Sequence, residues 1–193
     1  MKDSKFRKIL VGIGVIVGIY LGIGLIVDAV VAGISEETEA SWFGDLEFGG
    51  TQPGSAEERA QFAKTKAIFD RLLADGTLRP LPYQLHWVDS SVPNAFAVPG
   101  GSVAVTDGLL ELVESEAGLA FVLAHELGHQ QLRHSLRRLG RSLAYHILLN
   151  LFLGAEQAAL LGTGVEAAQA SYSRDQERDA DRFGLKLVRR VLG

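Results

Sequence analysis

Apolar residues run unbroken from Ile9 to Val27, a stretch of 19 directly after Lys2, Lys5, Arg7 and Lys8. As a helix this stretch is about 29 Å long, which matches the roughly 30 Å hydrocarbon core of a bilayer. Basic residues before it and Glu36, Glu37 and Glu39 after it orient the N-terminus to the cytoplasm and the rest of the chain outward. The competing reading is a secretory signal peptide, for which Val30-Val31-Ala32 offers a cleavage site. Signal cores run to about 7–15 residues, so this longer stretch points to an uncleaved anchor. The expected division is a cytoplasmic tail (1–8), a transmembrane anchor (9–31), a linker (32–54) and one folded domain (55–193). Gly14, Gly18 and Gly22 form a small-residue face that would suit self-association with another membrane helix. Glycine is also common in membrane spans without any such role.

Past the linker, where Trp42 and Phe43 suit a membrane interface, the apolar period shortens and lengthens in turn. Residues 56–74 read as an amphipathic helix with Phe62, Phe69, Leu72 and Leu73 on its buried side and Gly76 as terminator. Residues 83–88, 94–98 and 102–105 read as strands, the last two joined by a Pro99-Gly100-Gly101 turn, and a helix starts near Asp107. Residues 116–138 hold no proline and read as a single helix, capped by Ser115, with Leu132, Leu136 and Leu139 continuing its stripe and Arg133, Arg137, Arg138 and Arg141 at its C-terminal end. Ser173 and Gln176 form a capping box that opens a last helix. The net charge of −4, without a basic cluster, argues against nucleic acid as a partner. With no cysteine, disulfides, thiol catalysis and Cys-based metal sites are excluded.

The chemistry concentrates in His125-Glu126-Leu127-Gly128-His129. Histidines four apart on a helix lie about 40° apart around its axis, so both imidazoles can reach one metal ion. Glu126 beside them is placed to take a proton from water at that metal. A catalytic zinc wants a third protein ligand. Glu177 and Asp181 share one face of the last helix, and Ala180 and Gly184 would let that helix approach closely. Asp181 is suited to hydrogen-bond a ligand histidine and hold its tautomer. Read alone, the charges from Asp175 to Arg182 equally suit a solvated helix face.

Together with Asn94-Ala-Phe-Ala-Val-Pro-Gly-Gly101, these motifs resemble a family of membrane-associated zinc metallopeptidases. It includes the CAAX prenyl endopeptidases, the bacterial heat-shock membrane peptidases and the periplasmic proteases that police β-barrel assembly. The likeness covers residues 53–193. It implies an α+β, zincin-like domain with a small antiparallel sheet and a two-helix zinc site, one Zn2+ per chain held by His125, His129 and Glu177, and Glu126 as general base. It also implies that Asn94, Ala95, Phe96 and Ala97 form an edge strand that pairs with the substrate backbone. The expected function is a single-pass endopeptidase of the inner membrane, acting on the periplasmic side on unfolded or misassembled envelope proteins. A zinc hydrolase of a non-protein amide and an inactive binding module on the same fold are the alternatives. The chain ends soon after the last helix, so a helical-repeat partner domain is expected to be absent.

Several residues stay outside this scheme. Tyr172 and Arg182 are oxyanion candidates by proximity, each also explicable as structural. His134 is expected far round the helix from His129, His86 in a strand, and His146 in an apolar core. Residues 142–165 are apolar but hold His146, Asn150 and Glu156. A single span there would separate His129 from Glu177 across the bilayer. The segment is therefore expected to fold back as a helical hairpin near Gly154 or Gly162, or to pack over the cleft, as a cover on the site that can touch the membrane surface.

Overall fold

The computed structural model describes residues 2–44, 52–154 and 172–193. Within them, helices α1 (Lys2–Gly33), α2 (Glu36–Phe43) and α3 (Ala56–Leu73) lead to strands β1 (Gln84–Val88), β2 (Ala95–Val98) and β3 (Ser102–Thr106). Helices α4 (Asp107–Leu112), α5 (Glu116–Gln131), α6 (His134–Leu153) and α7 (Arg174–Leu192) follow. By packing the chain divides into two units, Met1–Gly33 with Arg137–Ser171, and Ile34–Leu136 with Tyr172–Gly193.

The second unit holds the sheet, in the order β1-β3-β2. β2 and β3 are antiparallel, with Phe96 opposite Ala104. β1 instead runs parallel to β3, with His86 opposite Ala104. The sheet is therefore mixed, not antiparallel. The Pro-Gly-Gly turn reverses the chain between β2 and β3, and the longer connection after β1 lets β3 slot in between. Gly100 and Gly101 take φ of 90° and 104°, and a Cβ on Gly100 would lie 2.6 Å from Phe43 Cβ, so only glycine fits that turn. As the central strand, β3 is buried throughout.

Around it, Phe69 and Leu72 of α3, Trp87 of β1, Leu110 of α4, Leu123 and Leu127 of α5 and Leu187 of α7 close one hydrophobic core. α3 starts with a capping box between Ser55 and Glu58 and is followed by Gly76 at φ 72°. Two expectations about elements are corrected here. The acidic part of the expected linker is α2, capped by Ser35 and fixed by Glu39, whose carboxylate is buried against Arg79 at 2.6 Å. The helix expected over 116–138 breaks after Gln131, where Arg133 takes φ 56°. Its guanidinium donates to the Ile34 carbonyl and pairs with Glu36 at 3.0 Å, contacts that hold an uncommon backbone conformation. Arg137, Arg138 and Arg141 consequently belong to the early turns of α6, not to the end of α5.

The first unit contains α1, which includes the one helix among the described residues long and apolar enough to cross a membrane (Lys5–Gly33). The described part of the stretch expected to cover the site, up to Gly154, packs in this unit along α1. Glu156 and Gly162 lie outside the described residues.

Candidate metal centre

Helix α5 presents His125, Glu126 and His129 from its last turns, and α7 presents Glu177 from its first. Both helices start from clean caps: the Ser115 hydroxyl accepts from Gly118 N, and Ser173 and Gln176 cap each other. The two helices then approach unusually closely. A Cβ on Gly128 would lie 3.1 Å from the Cα and carbonyl oxygen of Ala180, and one on Gly184 would lie 3.1 Å from the His125 nitrogen. Small residues at both crossing points bring a Glu side chain within reach of the opposite histidines.

The donor atoms converge. His125 Nε2 and His129 Nε2 are 3.1 Å apart, Glu177 Oε2 is 3.3 Å from the first and 3.9 Å from the second. Three ligands at tetrahedral corners, each about 2.0–2.1 Å from a zinc, would be separated by about 3.3 Å. Imidazole nitrogens and a carboxylate oxygen are both donors that the borderline zinc ion accepts. Among the described residues these three form the one such cluster able to hold a metal. His129 is buried, His125 is partly exposed and Glu177 is 42% exposed, which leaves an approach from solvent. Glu126 is buried on the same helix.

Each histidine has a second partner. Asp181 Oδ1 lies 2.9 Å from His125 Nδ1, so that nitrogen donates and Nε2 keeps its lone pair for the centre. His129 Nδ1 lies 3.0 Å from His134 Nδ1. With the His129 Nε2 lone pair turned to the centre, His129 donates and His134 accepts, carrying its own proton on Nε2. His134 is buried here, not turned away, because the break at Arg133 swings the next helix back. Tyr172 stacks on His129 at 3.7 Å between ring centroids and 15° between planes, and its hydroxyl meets Ser135 Oγ at 2.9 Å. That arrangement makes Tyr172 a wall for the His129 ring. Arg182 faces Asp179 at 3.5 Å.

Sequence reasoning missed three contributors: His134, Gly128 and Gln130. The buried Gln130 amide donates to the carbonyls of Val98 and Ser102, the latter at 3.0 Å, and so ties the end of α5 to the β2–β3 hairpin. A buried amide directly after the motif was the available signal.

β2 is an edge strand. Asn94 stands just before it, with its nitrogen 2.8 Å from Thr106 Oγ1 and its carbonyl accepting from Thr106 N at 3.0 Å. In an antiparallel ladder bonding residues alternate, so Phe96 pairs with Ala104 while Ala95 and Ala97 turn their backbone groups away from β3. Across the sheet His86 Nε2 contacts Ser102 Oγ at 3.1 Å, and burial holds its pKa below the ordinary value.

A close helix pair that focuses two histidines and a glutamate, beside a sheet with a free edge, defines a metallopeptidase-type centre. The chain belongs to peptidase family M48, whose pattern matches residues 59–191. It is 35% identical over 126 residues to the mitochondrial metalloendopeptidase OMA1 of Schizosaccharomyces pombe, covering 63% of this chain and 37% of that protein. It is 31% identical over 149 residues to the OMA1 metalloendopeptidase of Bos taurus, covering 68% of this chain and 28% of that protein. It is 29% identical over 133 residues to the β-barrel assembly-enhancing protease of Escherichia coli, covering 62% of this chain and 27% of that protein. The chain thus spans well under half the length of these curated relatives.

Proposed function

We propose that this chain is a membrane-anchored zinc metalloendopeptidase that hydrolyses peptide bonds of unfolded or misassembled envelope proteins on the outer side of the inner membrane. The observation that carries the reading is the convergence of His125, His129 and Glu177 at near-tetrahedral spacings, with Glu126 on the same helix. His125, His129 and Glu177 would hold the zinc, which would supply Lewis-acid chemistry toward water and a peptide carbonyl. Glu126 takes the proton of the attacking water and returns it to the leaving nitrogen. Asp181 and His134 hold the ligand imidazoles in the tautomers that offer Nε2. The edge strand β2, where the partly exposed Ala95 turns its backbone groups away from β3, suits an extended peptide added as a further strand. That feature favours a polypeptide over a compact amide. The names of the bacterial relatives, which refer to β-barrel assembly, favour envelope proteins as the substrate class. Basic residues in the first turns of α1 and glutamates after it favour the outward orientation.

The test is cleavage of a denatured protein such as casein by the full chain, with and without a chelator. Hydrolysis that the chelator abolishes and added zinc restores is expected. Glu126→Gln should keep one zinc per chain and lose about 10²–10⁴-fold in rate, the range of a general base. Wild-type turnover in that variant removes Glu126 from the mechanism, and a zinc-loaded wild type inert toward all unfolded chains favours a binding module.

A further inference from the structure

The pairing of α6 with α1 says where the apolar stretch after the metal motif goes. The two helices run antiparallel. Near the end of α1, a Cβ on Gly140 would lie 2.9 Å from Val27 Cγ1, and Arg141 donates twice to the Asp28 carboxylate at 2.8 Å. Further toward the α1 N-terminus, the rings of Tyr20 and Tyr145 stack at 5.0 Å with planes 4° apart, and the Tyr145 hydroxyl donates to the Tyr20 carbonyl at 3.1 Å. Arg141 is the last charged residue before Gly154. Beyond it Leu143, Ile147 and Leu151, at four-residue steps, and Phe152 beside them turn outward, the last two 76% and 73% exposed. Ile16 of α1 is similarly exposed, at 68%. Of the polar residues here, Ser142, His146 and Asn150, the last donates to the His146 carbonyl at 2.8 Å and so satisfies part of its amide within its own helix.

We propose that α6 beyond Arg141 enters the bilayer alongside α1, with Leu143, Ile147, Leu151 and Phe152 facing lipid hydrocarbon. This rests on α1 being a membrane span. The occupant of the apolar stripe follows from its continuity with the surface of α1. The Asp28–Arg141 pair marks the interface level, and from there Leu151 lies about 15 Å along α6 and Ile16 about 18 Å along α1. Both reach about the middle of a 30 Å core. α6 does not cross by itself, because its run from Arg141 to Leu153 is about 18 Å long against a core of about 30 Å. The chain is then held in the membrane by two helices, one of which continues from the metal-binding motif.

The chain has no cysteine, so a single introduced one carries a unique spin label. Ile16→Cys, Leu143→Cys, Ile147→Cys and Leu151→Cys variants of the full chain are labelled in phosphatidylcholine–phosphatidylglycerol vesicles, and relaxation by oxygen is compared with relaxation by a water-soluble nickel chelate. The oxygen-to-nickel accessibility ratio is expected to rise stepwise from position 143 to 151 and to match position 16 within about twofold at equal depth. Nickel access at 151 with protection at 16 overturns the inference and leaves the anchor intact. Nickel access at 16 overturns the anchor and the inference together. Low access to both reagents at 151 means protein covers the stripe, a second copy for example, and also overturns it. Disulfide formation in Tyr20→Cys/Tyr145→Cys verifies that the helix pair survives in the vesicles, and its failure overturns the pairing itself.

Discussion

In the α5–α7 pair, Gly128 meets Ala180 and Gly184 meets the His125 backbone, while in the α1–α6 pair Gly140 meets Val27. Both pairs therefore close on glycine, yet their outer surfaces differ. Around the first, Leu123, Leu127, Ala180 and Leu187 are buried, and the polar groups gather at one end where the donors converge. Around the second, Leu25, Ile26, Ile147 and Leu151 all face outward, and the ion pairs of Asp28 with Arg137 and Arg141 lie at one end. Close backbone approach is the shared device. What it serves depends on whether the remaining faces meet a core or lie open, and a glutamate can reach across to two histidines only in the first setting.

The strongest way to break this comparison is at Gly184. Val there would drive two methyl groups into the backbone of Ala124 and His125, which lie 3.1–3.3 Å from the Cβ position and cannot give as a flexible side chain would. Overpacking of this kind costs about 1–3 kcal/mol, and moving α7 outward withdraws Glu177 and Asp181 together. Gly184→Val should therefore lower Tm and lose zinc on gel filtration. Retention of both at wild-type levels would mean the seam is looser than its spacings imply.

A finer cut separates the ligands from the residues that hold them. Asp181→Ala and His134→Phe each remove the partner of a ligand Nδ1 without removing a donor to the metal. Zinc affinity should fall about 10–100-fold in each, as for other partners of metal-bound histidine. His134→Gln, which restores an acceptor, should recover part of the loss. If chelator titration shows unchanged affinity in His134→Phe, the His129–His134 contact does not orient the ligand.

The contrast between these two partners also shows what was legible in the sequence. Asp181 lies four residues from Glu177 on a helix with a clear cap, so helical periodicity alone puts both on one face. His134 required knowing that the chain breaks at Arg133, and nothing local announces it: no Gly, Pro or Asn stands there. The break is held by Ile34 and Glu36, about a hundred positions away in sequence. The same limit explains the sheet. The β2–β3 hairpin is written in its Pro-Gly-Gly turn, whereas the parallel docking of β1 on β3 depends on which strand finds which across the fold. It explains α2 as well, since Glu36, Glu37 and Glu39 read as part of a linker until Arg79 supplies the partner that buries Glu39.

The α1–α6 pair offers the matching control at Gly140. Leu there meets Val27 side-chain atoms first, at 2.9 Å, which can shift more readily than backbone. Gly140→Leu should spread α1 from α6 and suppress disulfide formation in the Tyr20→Cys/Tyr145→Cys background. Zinc content should stay at one per chain, because none of the donors lies in that unit. Loss of zinc in this variant would show that the two pairs are coupled.

The smallest expected effect lies at the far end of α7, where the same helix that carries Glu177 packs Val188, Val191 and Leu192 against the core and adds an ion pair to that packing. Arg190 Nε and Nη2 donate to the two carboxylate oxygens of Asp75 at 2.9 Å each, and Thr77 donates to the same group. These bonds, those from Arg190 first, hold the Asp75 pKa below its ordinary value. A carboxylate depressed in the folded state stabilises the fold above its unfolded pKa and loses that contribution as pH falls through its folded one. Arg190→Gln should thus lower Tm slightly and by a constant amount above about pH 5, and the gap should close toward about pH 2. Thermal unfolding of the zinc-free proteins across that range measures it. A gap that persists or widens in acid would assign the effect of Arg190 to packing of its stem, not to the ion pair.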